Sequence, residues 1–266
     1  MSETKETYFA EERKQKILEL LASSKKITIP EMCTLFNVST STMRNDLRNL
    51  QDAGLITRTH GGAIAKRSKS GFEPRPSENL AQRIPEKKAI AAKAIELVEE
   101  DDIIFIGTGT TTFEFVKLLP FHKKNLTVIT NDIYFAAHLE EHSEFTVIIQ
   151  GGVIRNNFHY VQNPLNGNII DGFNVDKTFI GCNGIHPERG VTIPDFQLAS
   201  NLRCAIKASA ETIVLSDSSK FGATTFAQII PVFEVGCIIT DNRLPEAVAA
   251  SYTASEVEIL MVSCND

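Results

Sequence analysis

The chain has 266 residues, 42% of them apolar and 23% charged, with sixteen Phe and no Trp, the profile of a folded chain of one large domain or two smaller ones. No apolar run reaches the roughly 18 residues that span a bilayer, and residues 1–16 are too polar for a secretory signal, so membrane and exported proteins are set aside and a cytoplasmic location is expected. The formal net charge of −6 hides an asymmetry: residues 1–70 hold 12 Lys and Arg against 8 Asp and Glu (+4), and residues 71–266 hold 15 against 25 (−10).

A basic end on an acidic body suits nucleic-acid contact, and a solvated charged surface gives the same arithmetic. Five scattered cysteines (Cys33, Cys182, Cys204, Cys237, Cys264) form no C-x-x-C pair. Neither a disulfide framework nor a zinc site is expected, and no cofactor is assigned.

In the basic end the spacing predicts three helices. The first, over 11–22, puts Ile17, Leu18 and Leu21 on one face, and Ser23-Ser24-Lys25-Lys26 breaks it. The second, over 30–36, starts on Pro30, whose missing N–H suits a first turn, and is expected to bury Met32, Leu35 and Phe36. Asn37-Val38 makes the turn, Ser39 is a natural N-cap for the third helix, and Gly54 stops it. In that helix Met43, Leu47 and Leu50 form a core stripe. At about 100° per residue the opposite face carries Ser41, Arg44, Asn45 and Arg48, flanked by Thr40 and Thr42. These are donors for phosphates and base edges on one strip, as a recognition helix in a major groove needs.

Residues 55–59 then read as a strand, His60-Gly61-Gly62 as a turn and Ala63-Ile64 as a return strand. Such a hairpin would bring Arg58, His60 and Gly61 to the DNA backbone or minor groove. The predicted unit is a winged helix-turn-helix over 8–65, with the helix-turn-helix at about 27–46 and double-stranded DNA as its partner.

These residues carry a resemblance. Val38-Ser39-Thr40-Ser41-Thr42-Met43-Arg44-Asn45-Asp46-Leu47, followed by Arg58-Thr59-His60-Gly61-Gly62-Ala63, is similar to the DeoR/GlpR family of bacterial transcriptional regulators. The family usually reads V-S-x-x-T-I-R-R-D-L and then R-x-H-G-G-A. Met43 and Asn45 stand where Ile and Arg are common, and Asn45 removes one phosphate or base contact. The resemblance implies an operator-binding regulator.

Residues 66–80 are small and charged, with Pro74 and Pro76, and read as a linker with little packed structure. A helix is expected from Glu86, with Ile90, Ala94, Ile95 and Val98 on its apolar face. Short apolar runs at 103–106, 126–130, 145–149, 178–180, 212–215, 237–239 and 257–262 read as strands, with helices at 111–119, 132–140, 196–209 and 245–251. The alternation predicts an α/β domain over 81–263, its parallel sheet covered on both faces. Small ligands bind such sheets beyond the carboxyl ends of the strands, near a topological switch.

Polar loops follow five of the strands. Gly107-Thr108-Gly109-Thr110-Thr111-Thr112 opens a helix. Its glycines let backbone N–H groups close on an anion, and the helix N-terminus favours negative charge; a tight turn with helix capping would use the same residues. Thr130-Asn131-Asp132, Gln150-Gly151-Gly152, Gly181-Cys182-Asn183-Gly184 and Asp217-Ser218-Ser219-Lys220 follow later strands. A sugar phosphate needs an anion cradle, a cation and hydroxyl partners. Thr108, Gly109, Thr110, Thr111 and Thr112 are the candidate cradle, and Lys87 and Lys220 the candidate cations. Asn131, Gly151, Gly152, Asn183, Gly184 and Asp217 are the candidate polar partners. Lys220 reads equally as a surface lysine, Asp217 as a loop cap, and Asp176 and Lys177 as a pair at a strand start.

These loops, with D-K-T-F-I-G-C-N-G-I from Asp176 and D-S-S-K-F-G from Asp217, resemble the DeoR-type sensor domain nearly end to end. The resemblance implies a Rossmann-like parallel-sheet fold similar to ribose-5-phosphate isomerase, used as a sensor. It further implies a phosphorylated sugar effector, a repressor of sugar uptake or catabolism operons, and a homo-oligomer. One departure concerns a Glu and a Lys that the family often carries six residues apart after G-V-T. The positions here are Phe196 and Leu202, with Asp195 and Arg203 as neighbouring substitutes.

Two other readings stay open at this point. A sugar-phosphate isomerase needs a carboxylate base, but the fourth loop offers Asn183, which takes no proton, so no catalytic residue is assigned. A nicotinamide-nucleotide sensor would use Gly107 and Gly109 as the start of G-x-G-x-x-G with Asp132 on the ribose, but Thr112 stands at the third glycine.

Overall fold

A computed structural model describes residues 13–14, 16–17, 20–21, 26–52, 56–59, 61–65, 79–162, 169–252 and 255–264. Glu11, Leu18, Ala22, Gly54, Leu55, His60 and most of the expected linker lie outside these residues. The chain divides into two compact units, Met1–Lys69 and Ser70–Asp266.

In the first unit the described residues between 13 and 21 are helical. Strand β1 (Lys26–Thr28) follows, where the sequence suggested only a break. Helix α1 (Ile29–Phe36) starts on a capping box: the Glu31 amide donates to Thr28 Oγ1 and the Thr28 amide donates to Glu31 Oε2. Asn37, left-handed at φ 51°, closes it, and helix α2 (Thr40–Asp52) follows. Strands β2 (Ile56–Thr59) and β3 (Gly62–Ala65) complete an antiparallel sheet in the order β1-β3-β2. Gly62 sits opposite Thr28, where a Cβ would fall 2.1 Å from the Ile27 carbonyl oxygen. That close approach is why the second turn position must be glycine.

Ile17, Leu21, Ile29, Met32, Phe36, Met43, Leu47 and Leu50 form the core of this unit. Leu35 is not in it: it is 57% exposed. The buried line of α1 runs through Ile29, Met32 and Phe36, and Leu35 lies roughly 60° beyond Met32 on the solvent side.

The second unit contains α3 (Ile84–Glu96), β4 (Ile103–Ile106), α4 (Thr110–His122), β5 (Thr127–Thr130), α5 (Ile133–Glu140) and β6 (Thr146–Ile149). A hairpin of β7 (Val153–Ile154) and β8 (Val161–Gln162) precedes β9 (Val175–Ile180), β10 (Gly184–His186), β11 (Gly190–Ile193) and α6 (Phe196–Lys207). β12 (Ser209–Leu215), β13 (Ala227–Ile230), β14 (Cys237–Asp241), α7 (Glu246–Ala250) and β15 (Glu258–Val262) end it. Seven strands form one parallel sheet in the order β15-β14-β12-β9-β4-β5-β6.

Alternation along the strands explains the two covered faces. Ile104 and Ile106, Ile213 and Leu215, and Ile239 pack with α3, α4 and α5 through Ile90, Phe115, Val116 and Leu139. Their neighbours Phe105, Ile180, Val214 and Ile238 point the other way, onto Leu198 and Leu202 of α6 and onto Ile185, Val191 and Ile229 of the antiparallel sheet β10-β11-β13. Asp176 and Lys177 do not pair with each other. Asp176 Oδ2 accepts from the Ile103 amide, and Lys177 Nζ lies 2.8 Å from Asp102 Oδ2. Both side chains tie β9 to the start of β4.

The strand order places the site. From β4 the chain runs through β5 to β6 at one edge, then returns to the other side of β4 for β9. The switch point therefore lies between β4 and β9, and a crevice opens beyond their carboxyl ends. Among the described residues, no helix is long and apolar enough to cross a membrane.

Candidate functional site

On the first unit, Ser39 caps α2: its Oγ accepts from the Thr42 amide at 3.1 Å and lies 2.8 Å from Ser41 Oγ and 2.9 Å from Thr42 Oγ1. Thr40, Ser41, Arg44, Asn45 and Arg48 are exposed, so the polar strip expected for groove contact is on the surface. Thr42 is half-buried. Arg58 is half-buried on β2, and Gly61 is exposed in the turn while its carbonyl accepts from the Ile29 amide. Asp46, within the same motif, turns inward instead, its Oδ2 2.6 Å from Arg13 Nε.

In the second unit a cavity of about 480 Å³ lies at the β4/β9 switch. The loop after β4 (Thr108, Gly109) and the first turn of α4 (Thr110, Thr111) form one wall, and the loop after β9 (Gly181, Cys182, Asn183) forms the next. Lys87 from α3 and Asp217, Ser219 and Lys220 from the loop after β12 form the third. Thus Lys87, Thr108, Gly109, Thr110, Thr111, Asn183, Asp217 and Lys220, singled out from sequence, are brought together.

The other candidates have different positions. Thr112 is buried and donates to the Gly109 carbonyl. Asn131 is buried behind the loop, its Oδ1 accepting from the Thr108 amide at 3.0 Å. Gly151 and Gly152 lie at the β6–β7 turn, away from the lining; a Cβ at Gly152 would meet the Gln162 carbonyl at 2.3 Å. Gly184 belongs to β10 opposite Thr192. Nor do the neighbours of the departed pair substitute for it. Asp195 caps α6 and pairs with Arg155 at 2.9 Å, and Arg203 donates to the Gln228 carbonyl. Leu202 itself lines the cavity, so the wall there is apolar.

Several lining residues had no sequence signal. Asn79 and Leu80, placed in the linker by composition, are helical and line the cavity with Gln82 and Arg83. Lys87 Nζ donates to the Asn79 carbonyl, and Arg83 Nε lies 3.6 Å from Asp217 Oδ1. Phe158, His159 and Tyr160 reach the cavity because the Ile133 amide donates to His159 and the Val161 amide to Asn131.

The electrostatics divide the cavity. Burial lowers the Lys87 ammonium below its usual pKa, opposed by Asp217 and reinforced by Lys220. Burial raises the Asp132 carboxyl, opposed by the Thr108 hydroxyl, whose Oγ1 lies 2.5 Å from Asp132 Oδ2, and by the Tyr134 and Phe135 amides. Burial pushes the Cys182 thiol up to about 11, opposed by its contact with Ser216. Lys87, Lys220 and Arg83 gather around the Asp217 carboxylate near α3 and the β12 loop, and a second carboxylate, Asp132, sits near β5. Chemically the arrangement sets lysine ammonium groups and a helix N-terminus beside hydroxyl and carboxylate acceptors.

The DeoR-like helix-turn-helix domain matches residues 13–69, and the DeoR C terminal sensor domain matches residues 82–242. The HTH-type transcriptional regulator GolR of Listeria innocua is 32% identical over 239 residues, 90% of this chain and 93% of that protein. The HTH-type transcriptional regulator GlpR of Haloferax volcanii is 32% identical over 235 residues, 88% and 90% of the two chains. The transcriptional repressor AccR of Agrobacterium fabrum is 31% identical over 233 residues, 87% and 90%. Ribose 5 phosphate isomerase A from Neisseria gonorrhoeae aligns with 52% of this chain and 53% of its own, at TM-score 0.38 and 18% identity, too distant a likeness to bear on function. Head and crevice together define a helix-turn-helix transcriptional regulator with a small-molecule sensor domain. The chain belongs to the DeoR family.

Proposed function

We propose that this regulator represses a sugar uptake or catabolism operon, and that a phosphorylated sugar in the crevice controls its grip on the operator. In this reading residues 8–65 bind DNA, residues 66–80 include the linker, and residues 81–263 sense the effector in the cytoplasm. The observation that supports it most is the convergence of Lys87 and Lys220 with the Gly109–Thr111 turn at the N-terminus of a thirteen-residue helix. The backbone amides of a helix N-terminus, with two cations, suit a phosphate. Relatives named as repressors, AccR among them and a putative aga operon repressor of Escherichia coli O157:H7, support the direction of control.

Ser39 to Thr42, Arg44, Asn45, Arg48, Arg58, His60 and Gly61 would meet DNA in a symmetric homo-oligomer on paired half-sites. Lys87, Thr108 to Thr111, Asn183, Asp217 and Lys220 would meet the effector. Ligand shifts DNA binding only through its different affinity for the two arrangements of the protein.

No catalysis is proposed. The cavity's carboxylates are engaged, Asp132 by Thr108 and the α5 amides, Asp217 by the amide and hydroxyl of Ser219. A thermal-shift screen of phosphorylated hexoses, pentoses and polyols against their unphosphorylated parents tests the reading. Stabilisation by the phosphates alone, lost in Lys87→Met, is expected; equal stabilisation by the parents, or turnover of a sugar phosphate, contradicts it.

A further inference from the structure

The threonines of the Gly-Thr loop are not equivalent. Thr108 Oγ1 carries one hydrogen, and that hydrogen goes to Asp132 Oδ2 at 2.5 Å. Asp132 is held in place from behind. Its Oδ1 accepts from the Tyr134 and Phe135 amides at 2.9 and 3.3 Å as the N-cap of α5, and the residue is only 4% exposed. The Thr108 amide is likewise committed, to Asn131 Oδ1.

Thr108 therefore has no hydrogen left for a phosphate. What Thr108 and Asp132 turn toward the cavity is lone pairs. Lone pairs bind a ligand's O–H and repel a ligand's anion. The donors suited to phosphate lie elsewhere in the same cavity, at Thr110, Thr111, Lys87 and Lys220.

We infer that the Thr108–Asp132 pair is the specificity determinant of the crevice. It accepts a hydroxyl from the effector and selects a monophosphate whose far end is neutral, over one bearing a carboxylate or a second phosphate. The inference rests on the phosphorylated-sugar reading above and goes beyond it by assigning the two ends of the ligand to different residues. Like charges brought together at a desolvated site are strongly disfavoured, and a site built to pair with a hydroxyl loses most when the partner group is wrong.

Calorimetry on the full chain with three probes tests it: inorganic phosphate, glycerol 3-phosphate and 3-phosphoglycerate. The last two differ only in a CH₂OH against a carboxylate, and both are short enough to fit the cavity. The wild type should bind glycerol 3-phosphate at least about tenfold more tightly than 3-phosphoglycerate. In Asp132→Asn the amide retains the cap and donates to Thr108, which turns the threonine hydrogen outward; that gap should shrink to about threefold or less. Thr108→Val should keep its affinity for inorganic phosphate within about twofold while losing about five- to tenfold for glycerol 3-phosphate, and Thr108→Ser should restore it.

Equal wild-type affinity for the two organic phosphates, or a Thr108→Val variant that loses inorganic phosphate as well, overturns the inference while leaving the phosphate reading intact. A wild type that binds none of the three probes removes the phosphate reading and this inference with it.

Discussion

Arg13 Nε lies 2.6 Å from Asp46 Oδ2, with both side chains more than nine-tenths buried. The pair joins the first helical segment to the inner face of α2, directly behind Arg44, Asn45 and Arg48. The Asp of the R-N-D-L run thus orients the helix rather than facing DNA. Removing the Asp46 carboxylate takes a charge-assisted hydrogen bond from the buried Arg13 guanidinium, at a cost of about 1.5–3 kcal/mol. Asp46→Ala is expected to speed amide exchange across α2 by roughly one to two orders of magnitude, read by hydrogen–deuterium exchange with mass spectrometry. Unchanged protection would contradict the structural role of the pair.

The outer face of the same helix should behave in the opposite way. Arg44→Ala and Arg48→Ala, both at exposed positions, should leave α2 protection and phosphate binding unaltered. Each is expected to weaken DNA binding by about 1–3 kcal/mol if it reads a base, or to lower the salt slope by about one if it contacts a phosphate. Anisotropy titrations at several salt concentrations distinguish the two, and unchanged affinity and slope would remove the residue from the interface.

Asp132 gives stability a pH signature. Its carboxyl is raised above 3.8 by burial, so ionisation disfavours the folded state. That penalty is fully present above the raised pKa and disappears as pH falls through it toward 3.8. The melting temperature of Asp132→Asn relative to wild type should therefore be higher at pH 8 than at pH 4. A difference that grows on acidification would contradict the assignment.

Cys182 lines the crevice as a thiol, pushed up to about 11. Since the thiolate is the reactive form, its alkylation by iodoacetamide at pH 7.5 should run about two orders of magnitude slower than that of an exposed thiol. Peptide mapping of the labelled protein measures this directly; rapid labelling would show that the thiol is not in the desolvated, Ser216-bonded position.

The parallel sheet was legible because its strands are short runs such as Ile103–Ile106, with helices between them. Helix α2 was legible because Met43, Leu47 and Leu50 recur on one face. What stayed hidden depends on long-range contacts. β1 is three residues, Lys26–Thr28, and exists only because β3 pairs with it. β10, β11 and β13 (G-I-H, G-V-T-I and A-Q-I-I) are interrupted by glycine or polar residues rather than being apolar runs, and their pairing joins Val191 to Ile230 across the chain.

In the crevice, the loops after β4, β9 and β12 announced Thr108 to Thr111, Asn183 and Lys220 through their glycines and hydroxyls. Asn79 carried no such mark, because composition reads residues 66–80 as a connector, and Arg83 stands alone without a loop motif around it. Their place in the wall follows from the Lys87 and Asp217 contacts. Leu202 was visible as a departure from the family pattern, but only the packing of α6 shows that it makes that wall apolar.

In the proposed function, one anion in the β4/β9 crevice governs the grip of the helix-turn-helix on DNA. Fluorescence anisotropy on the DNA upstream of this protein's own gene, titrated with the phosphorylated sugar that most stabilises the protein, tests it most directly. The expected result is tight binding without the sugar phosphate and release with it, with Lys87→Met still bound to DNA but no longer released. Release of the Lys87→Met variant at the same concentration, or no DNA binding by the wild type under any condition, would contradict it.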